Sequence, residues 1–297
     1  MAQPNPLQAY LKASALTMTE LRSILLAGAE EADNLIPKLL EKHTTGGTIK
    51  AAQLSLVRRE IAAWYAALWG DIGSALKNGI QPVVLAAADG EDILFKYLDA
   101  HDAGLLRASF QAQAKKGLAG ILARAFNNIP LSSQVYRTQA LSKGWVDRAV
   151  NNGILLGHGA KQIAKDVSGL IKPNVKGGVA YAANRLARTE LNHAFKTTQQ
   201  QRYADEPWNV GMEWNLSGSH PKPDICNLLA TQDIHGLGKG VYPTGDLPRS
   251  HPNCLCYWTP ATVDEDTFID SFVAGDYNEF IDETVYTHAP KGLRPCP

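Results

Sequence analysis

Several features that would mark common protein classes are scarce in this chain. No apolar run reaches the ~18 residues that a membrane-spanning helix needs. Four cysteines in 297 residues are too few for a disulfide framework, so a reducing cytoplasm is the expected compartment while the chain folds. The start, Met1-Ala-Gln-Pro-Asn-Pro6, has neither basic residues nor an apolar stretch, and no secretory signal is expected from it. There is no internal repeat and no low-complexity segment. Net charge is lacking too, with 29 basic residues against 29 acidic ones. What remains, 45% hydrophobic and 20% charged residues, is a globular composition that excludes global disorder.

The zero net charge hides three blocks. Residues 1–106 hold 9 basic and 12 acidic side chains, residues 107–202 hold 15 and 3, and residues 203–297 hold 5 and 14. The middle block is strongly cationic and the last strongly anionic, a polarity large enough to steer encounters with a charged partner. Two readings follow. Either the acidic end folds back on the basic middle, or the basic block faces DNA phosphates or an acidic protein surface. Under the second reading Lys115, Lys116, Arg124, Arg137, Lys143 and Arg148 are the candidate contacts.

Hydrophobic periodicity makes the first two thirds helical. Thr19 is a plausible cap for a helix reaching Lys42, closed by Thr44-Thr-Gly-Gly-Thr48. A second helix through Val57, Ile61, Trp64, Tyr65 and Leu68 is expected to stop near Asn78-Gly79. Its aromatic residues at helical spacing mean core rather than a cofactor box. Further helical stretches are 91–113, 116–127, 132–155, 161–171 and a long one at 179–203, with a boundary at Asn127-Asn-Ile-Pro130.

Composition changes at Pro207. Up to Pro260 the chain is rich in Gly, Pro, Trp and His, with short strand candidates at 209–216 and 256–259. Strands this short cannot build a core alone. Residues 263–286 alternate acidic and apolar side chains, suggesting one amphipathic helix or a pair broken at Ala274-Gly275. The expected fold class is α+β, predominantly α-helical, with a small, loop-rich, metal-stapled α+β module near the C-terminus. The expected division is a helical region 1–130, a region 131–262 carrying the Cys/His module at 207–260, and an acidic tail 263–297.

The strongest local signal lies in that module: His220-Pro-Lys-Pro-Asp224-Ile-Cys226, a Gly-rich loop, then His251-Pro-Asn-Cys254-Leu-Cys256. Thiolate and imidazole are the ligands a tetrahedral zinc selects, and a lobe short of core gains most from such a staple. Cys226, His251, Cys254 and Cys256 are the expected ligands, with Asp224 or His220 as substitutes for one of them. Two alternatives stay open, three small buried cysteines without metal and a Cys226–Cys254 disulfide formed after release from the cell. Four protein ligands would close the site, which favours a structural ion over a catalytic one. The deaminase and His-Glu-x-x-His patterns are absent. The loop His235-Gly-Leu-Gly-Lys-Gly-Val241 lacks the flanking strand and helix of a phosphate cradle and reads as an ordinary flexible loop. On the long helix, Arg188 and Glu190 form a structural motif. Glu190 shares a face with Ala183, Leu186, Ala187, Leu191 and Ala194, so its carboxylate requires a partner. A catalytic Glu190 is the rival, but no nucleophile or second carboxylate accompanies it.

Taken in order, Leu186-Ala-Arg-Thr-Glu190, Trp214 through Cys226, Gly236-Leu-Gly-Lys-Gly-Val-Tyr-Pro243 and His251-Pro-Asn-Cys-Leu-Cys256 resemble the phage head-morphogenesis (Mu F-like) minor capsid protein family. The resemblance covers about residues 131–260. It departs at Leu255, where the family commonly has arginine. It implies a non-enzymatic virion protein inside the head near the portal, found in the host cytoplasm during assembly. Such a protein would assist procapsid assembly, contact packaged DNA, and leave with it at ejection in some cases. The implied partners are the portal protein, the major capsid protein and double-stranded DNA, with no membrane during assembly. The alternative is a metal-dependent nuclease or hydrolase acting on nucleic acid through His251, Glu190 and the ion.

Overall fold

The computed structural model describes residues 5–44, 51–90, 92–124, 129–173, 175, 177–218, 220 and 223–287. The turn expected over 45–48, the start of the break at Asn127 and Cys296 fall outside them. The fold is predominantly α-helical with a three-stranded antiparallel sheet near the C-terminus, as the composition and periodicity imply. In chain order the elements are α1 (Pro6–Lys42), α2 (Ala51–Ala88), a 3-10 turn (Ile93–Lys96), α3 (Ala100–Ala123), α4 (Leu131–Leu155), α5 (Ala160–Ile171) and α6 (Gly178–Tyr203). There follow β1 (Asn209–Asn215), α7 (Ile225–Thr231), β2 (Val241–Tyr242), β3 (Tyr257–Thr262), α8 (Glu265–Ala274), α9 (Asn278–Ile281) and a π turn (Asp282–Thr287). Among the described residues no helix is long and apolar enough to cross a membrane.

Several helix limits differ from the sequence expectation: the stretches expected at 91–113 and 116–127 form instead the 3-10 turn and the single helix α3, and α1 and α2 are longer than expected. Thr19 is not a cap but an interior residue of α1, its hydroxyl donating to the Ala15 carbonyl. The helix starts thirteen residues earlier, where Asn5 Oδ1 accepts from the Gln8 amide at 3.0 Å and Pro6 supplies a preset φ at the first helical position. α2 likewise runs through Asn78-Gly79 and through Pro82 to Ala88. Gly79 is a point of close approach rather than a stop, since a Cβ there would collide with Thr17. Burial of Val83, Val84 and Ala87 outweighs the hydrogen bond lost at Pro82.

The chain forms two compact units, each assembled from separated stretches: Met1–Ser14 with Ile80–Ala125 and Thr189–Pro297, and Ala15–Gly79 with Phe126–Arg188. The expected regions are consecutive, so these units cut across them. In the second unit a continuous apolar core joins Leu21, Leu25, Ile36, Val57, Ile61, Tyr65, Trp69 and Ile72 to Val146, Val150, Ile163, Val167, Val179 and Ala183. Tyr65 is fully buried, and its hydroxyl meets Ser142 Oγ at 2.6 Å. Burial pushes this phenol up to about 12.

The first unit has two clusters. Leu94, Leu105, Leu106 and Phe110 pack with Trp208, Phe268, Tyr277 and Val285, so the acidic C-terminal segment finds its apolar partner within the chain. Trp208 meets Phe268, Tyr277 and Phe280 edge-on at 5.1–5.5 Å. Of the two forms expected for this segment, one helix or a pair, the structure has the pair. α8 is capped by Asp264, which accepts from the Thr267 amide at 2.9 Å, and it ends on Gly275 at φ 85°. The second cluster is the sheet lobe. β1 lies between β2 and β3, with Trp214 opposite Trp258 and Met212 opposite Tyr242.

Candidate metal centre

Local geometry explains how the cysteines meet. Asp224 caps α7, its Oδ1 accepting the Cys226 amide at 2.7 Å, while Asn227 Oδ1 accepts the Asp224 amide at 2.9 Å. This capping box fixes Cys226 in the first turn of α7. On the other side the segment His251-Pro-Asn-Cys254 turns through Asn253, which has φ 67°, a conformation asparagine tolerates. Cys254 and Cys256 follow two residues apart, immediately before β3.

The three sulfurs converge. Cys226, Cys254 and Cys256 are 0%, 2% and 1% exposed, and their Sγ atoms all lie within 4.8 Å of one another. Cys226 and Cys254 lie 3.7 Å apart, as free thiols rather than a disulfide. Burial pushes the Cys226 thiol up to about 12. Cys254 is pushed up as well, through its hydrogen bond with Cys256 and then through burial. The same bond draws Cys256 down to about 5. Three thiolates packed this closely repel one another unless a cation sits among them. This trio, together with Asp224 and His251 beside Cys226, could hold a metal ion.

Around the sulfurs lie Tyr203, Met212, Trp214, Leu229, Tyr242 and Trp258, with Trp214 edge-on to Trp258 at 4.8 Å. Lys196 enters this apolar cage from α6. Its Nζ sits 3.9 Å over the Trp214 ring and donates to Ser250 Oγ at 2.7 Å. Burial drives the ammonium down to about 8, against the pull of all three cysteines. α6 contributes more than this lysine. Thr189 Oγ1 accepts from the Asn253 amide at 2.8 Å, Asn192 donates to the Cys256 carbonyl at 3.1 Å, and Gln200 donates to the Thr244 carbonyl at 2.7 Å. Residues 189, 192, 196 and 200 share one helix face, which is thus hydrogen-bonded along the loop that carries two of the cysteines.

Comparison with protein-family models, characterised proteins and solved structures finds no match.

The other expected site residues fall as follows. His251 Nε2 lies 3.3 Å from Asp224 Oδ2, and its Nδ1 donates to the Pro252 carbonyl at 2.9 Å. His251 and Asp224 group with Cys226 alone of the three cysteines. His220 Nδ1 lies 3.9 Å from Cys256 Sγ. Glu190 is 2% exposed, whereas the hydrogen bonds that fasten the loop come from Thr189 and Asn192, and Arg188 is half-buried. Lys115, Lys116 and Arg124 lie exposed on or just after α3. On α4, Arg137 and Arg148 are exposed, while Lys143 is half-buried and paired with Asp147 at 2.6 Å. The Gly-rich segment expected as an ordinary loop over 235–241 leads instead into the edge strand β2. Gly240 accepts from the Trp214 amide and donates to the Gln232 carbonyl, both at 2.8 Å. Lys196, Thr189, Asn192 and Asn227 escaped the sequence reading. A polar stripe at 189, 192, 196 and 200 beside the apolar face was the available signal.

Proposed function

We infer that the chain is a non-enzymatic minor capsid protein of the head-morphogenesis (Mu F-like) type, stapled by a structural zinc. The observation that carries this reading is the convergence of motifs that lie far apart in sequence. Residues of the 186–190 run and its continuation on α6, the Trp214–Cys226 segment and the 251–256 segment meet around one buried sulfur cluster. That ordered set is what the resemblance rests on. A centre whose cysteines are at most 2% exposed favours a structural ion, since catalysis requires a vacant coordination position reachable by substrate. Exposed cations on α3 and α4 suit double-stranded DNA or an acidic portal surface. Portal and major capsid subunits and packaged DNA are the proposed partners. The protein's site would be the capsid interior near the portal, with ejection alongside the DNA as a further possibility of the type.

Mass spectrometry of purified virions before and after DNA release tests this. The expected result is a few copies per particle in the first sample. Absence from intact virions overturns the reading. Nucleic-acid hydrolysis that Glu190→Gln abolishes in a folded protein would favour the enzymatic alternative.

A further inference from the structure

Resting on the metal reading above, we propose that His220 supplies the fourth ligand to the ion held by Cys226, Cys254 and Cys256, binding through Nδ1, and that Asn227 is the positioning residue that keeps the imidazole in the ligating tautomer.

Distances come first. Zinc–sulfur bonds of about 2.3 Å at tetrahedral angles place neighbouring sulfurs about 3.8 Å apart. The Cys226–Cys254 separation is 3.7 Å, so this edge of the tetrahedron is already formed. With a nitrogen ligand at about 2.0–2.1 Å, the sulfur–nitrogen edge is about 3.6 Å. His220 Nδ1 stands 3.9 Å from Cys256 Sγ, within a few tenths of an ångström of that value.

The tautomer follows from a chain of donors and acceptors. The Asp224 backbone amide can only donate, so the Asn227 atom it meets at 2.9 Å is the carbonyl oxygen. The same oxygen receives His220 Nε2 at 2.9 Å. Nε2 therefore carries the hydrogen in that bond. In the neutral ring the lone pair is left on Nδ1, the nitrogen that faces Cys256. A ligating histidine whose other nitrogen is anchored to a fixed acceptor is the usual arrangement around protein metals. Here the anchor is rigid, because Asn227 closes the capping box of the helix that carries Cys226.

His251 is placed differently. Its side chain is 35% exposed against 13% for His220, and its Nδ1 donates to the Pro252 carbonyl; Asp224 stands near Nε2 of both rings, at 3.3 Å for His251 and 3.5 Å for His220. Its nitrogen groups with Cys226 and Asp224 and not with the other two sulfurs, whereas His220 approaches the trio from the opposite member, Cys256, and groups with neither Cys226 nor Cys254. It is a neighbour of the site through Asp224, the cap of α7.

The full chain, stripped of metal under reducing conditions and titrated with Co²⁺ alone, distinguishes the ligand sets by visible absorption and by competition with a chromophoric chelator. The wild type is expected to bind one equivalent with the intense ligand-field bands of a tetrahedral site and sulfur-to-cobalt charge transfer. His220→Ala weakens binding and lowers the ligand-field intensity as water enters. His220→Cys restores a tetrahedral spectrum with stronger charge transfer, which shows that the first variant had not simply misfolded. Asn227→Ala weakens affinity about 10- to 100-fold, and Asn227→Asp, which keeps the acceptor, recovers it. His251→Ala leaves the spectrum unchanged. Loss on His251→Ala with retention on His220→Ala overturns the assignment and leaves the metal reading intact. So does retention in both variants. A wild-type chain that binds no cobalt overturns both together.

Discussion

Arg202 sits between two carboxylates with almost no water around it. Its Nη2 meets Asp92 Oδ2 at 2.7 Å, and its Nη1 pairs with Glu206, four residues on and just past the end of α6. The three side chains are 3%, 0% and 1% exposed. The guanidinium also lies over the Phe110 ring, with Cζ 3.2 Å from its centroid. Replacing one member of a buried pair leaves an uncompensated charge, which costs about 3–5 kcal/mol. Arg202→Met strands two carboxylates, so it is expected to destabilise by at least the lower end of that range. Urea denaturation followed by tryptophan fluorescence reads the change, with a fall in the midpoint at unchanged slope. Because Asp92 Oδ1 also accepts the Leu94 amide at 2.9 Å, the 3-10 turn loosens with it. None of this triad was foreseen, since no spacing rule connects residues 92 and 202.

At the scale of elements, the lobe depends on a glycine loop held by backbone contacts. Gly240 has φ 74°, and a Cβ there would stand 2.9 Å from the Ala230 carbonyl oxygen. Gly240→Ala therefore combines a disfavoured backbone with a backbone collision, and the expected loss is about 1–3 kcal/mol. Thermal unfolding by circular dichroism checks it, with Gly245→Ala, where nothing lies within 4 Å of the added carbon, as the near-neutral control. The same loop shows what sequence can and cannot carry. Helix existence was legible, because apolar periodicity over 25 or more residues leaves little choice of structure. For 263–286 the sequence allowed one helix or a pair, and Gly275, in the left-handed region, decides for the pair. Helix limits were not legible. Gly79 carries the letter of a stop, yet its role is set by Thr17 some sixty residues away. β2 is two residues long and offers no alternation to detect. In the metal centre the three cysteines stood out by type. The proposal of His220 over His251 rests on where Asn227 points, and that is a property of the folded capping box.

At the scale of the whole molecule, charge is what reaches outward. The cations Lys115, Lys116 and Arg124 are exposed and belong to the first unit. If they meet DNA phosphates, the affinity falls linearly with the logarithm of salt concentration, by about 0.9 in slope for each phosphate neutralised. The triple variant with glutamine at 115, 116 and 124 is then expected to flatten that slope by about 2 to 3 in fluorescence-anisotropy titrations with duplex DNA. An unchanged slope would move the DNA contact away from α3.

The interleaving of the two units bears on how the protein is made. Every stretch of the unit that ends at Arg188 has been synthesised while more than a hundred residues are still to come. That unit can pack as it leaves the ribosome, in keeping with the tendency of early units to fold first. Its counterpart has to wait. Residues 80–125 hold apolar side chains such as Leu105, Leu106 and Phe110 whose partners Trp208, Phe268 and Tyr277 are translated about a hundred residues or more later. During that interval the nascent chain exposes a sticky half-core, and a chaperone or prompt completion of the polypeptide becomes part of the folding route.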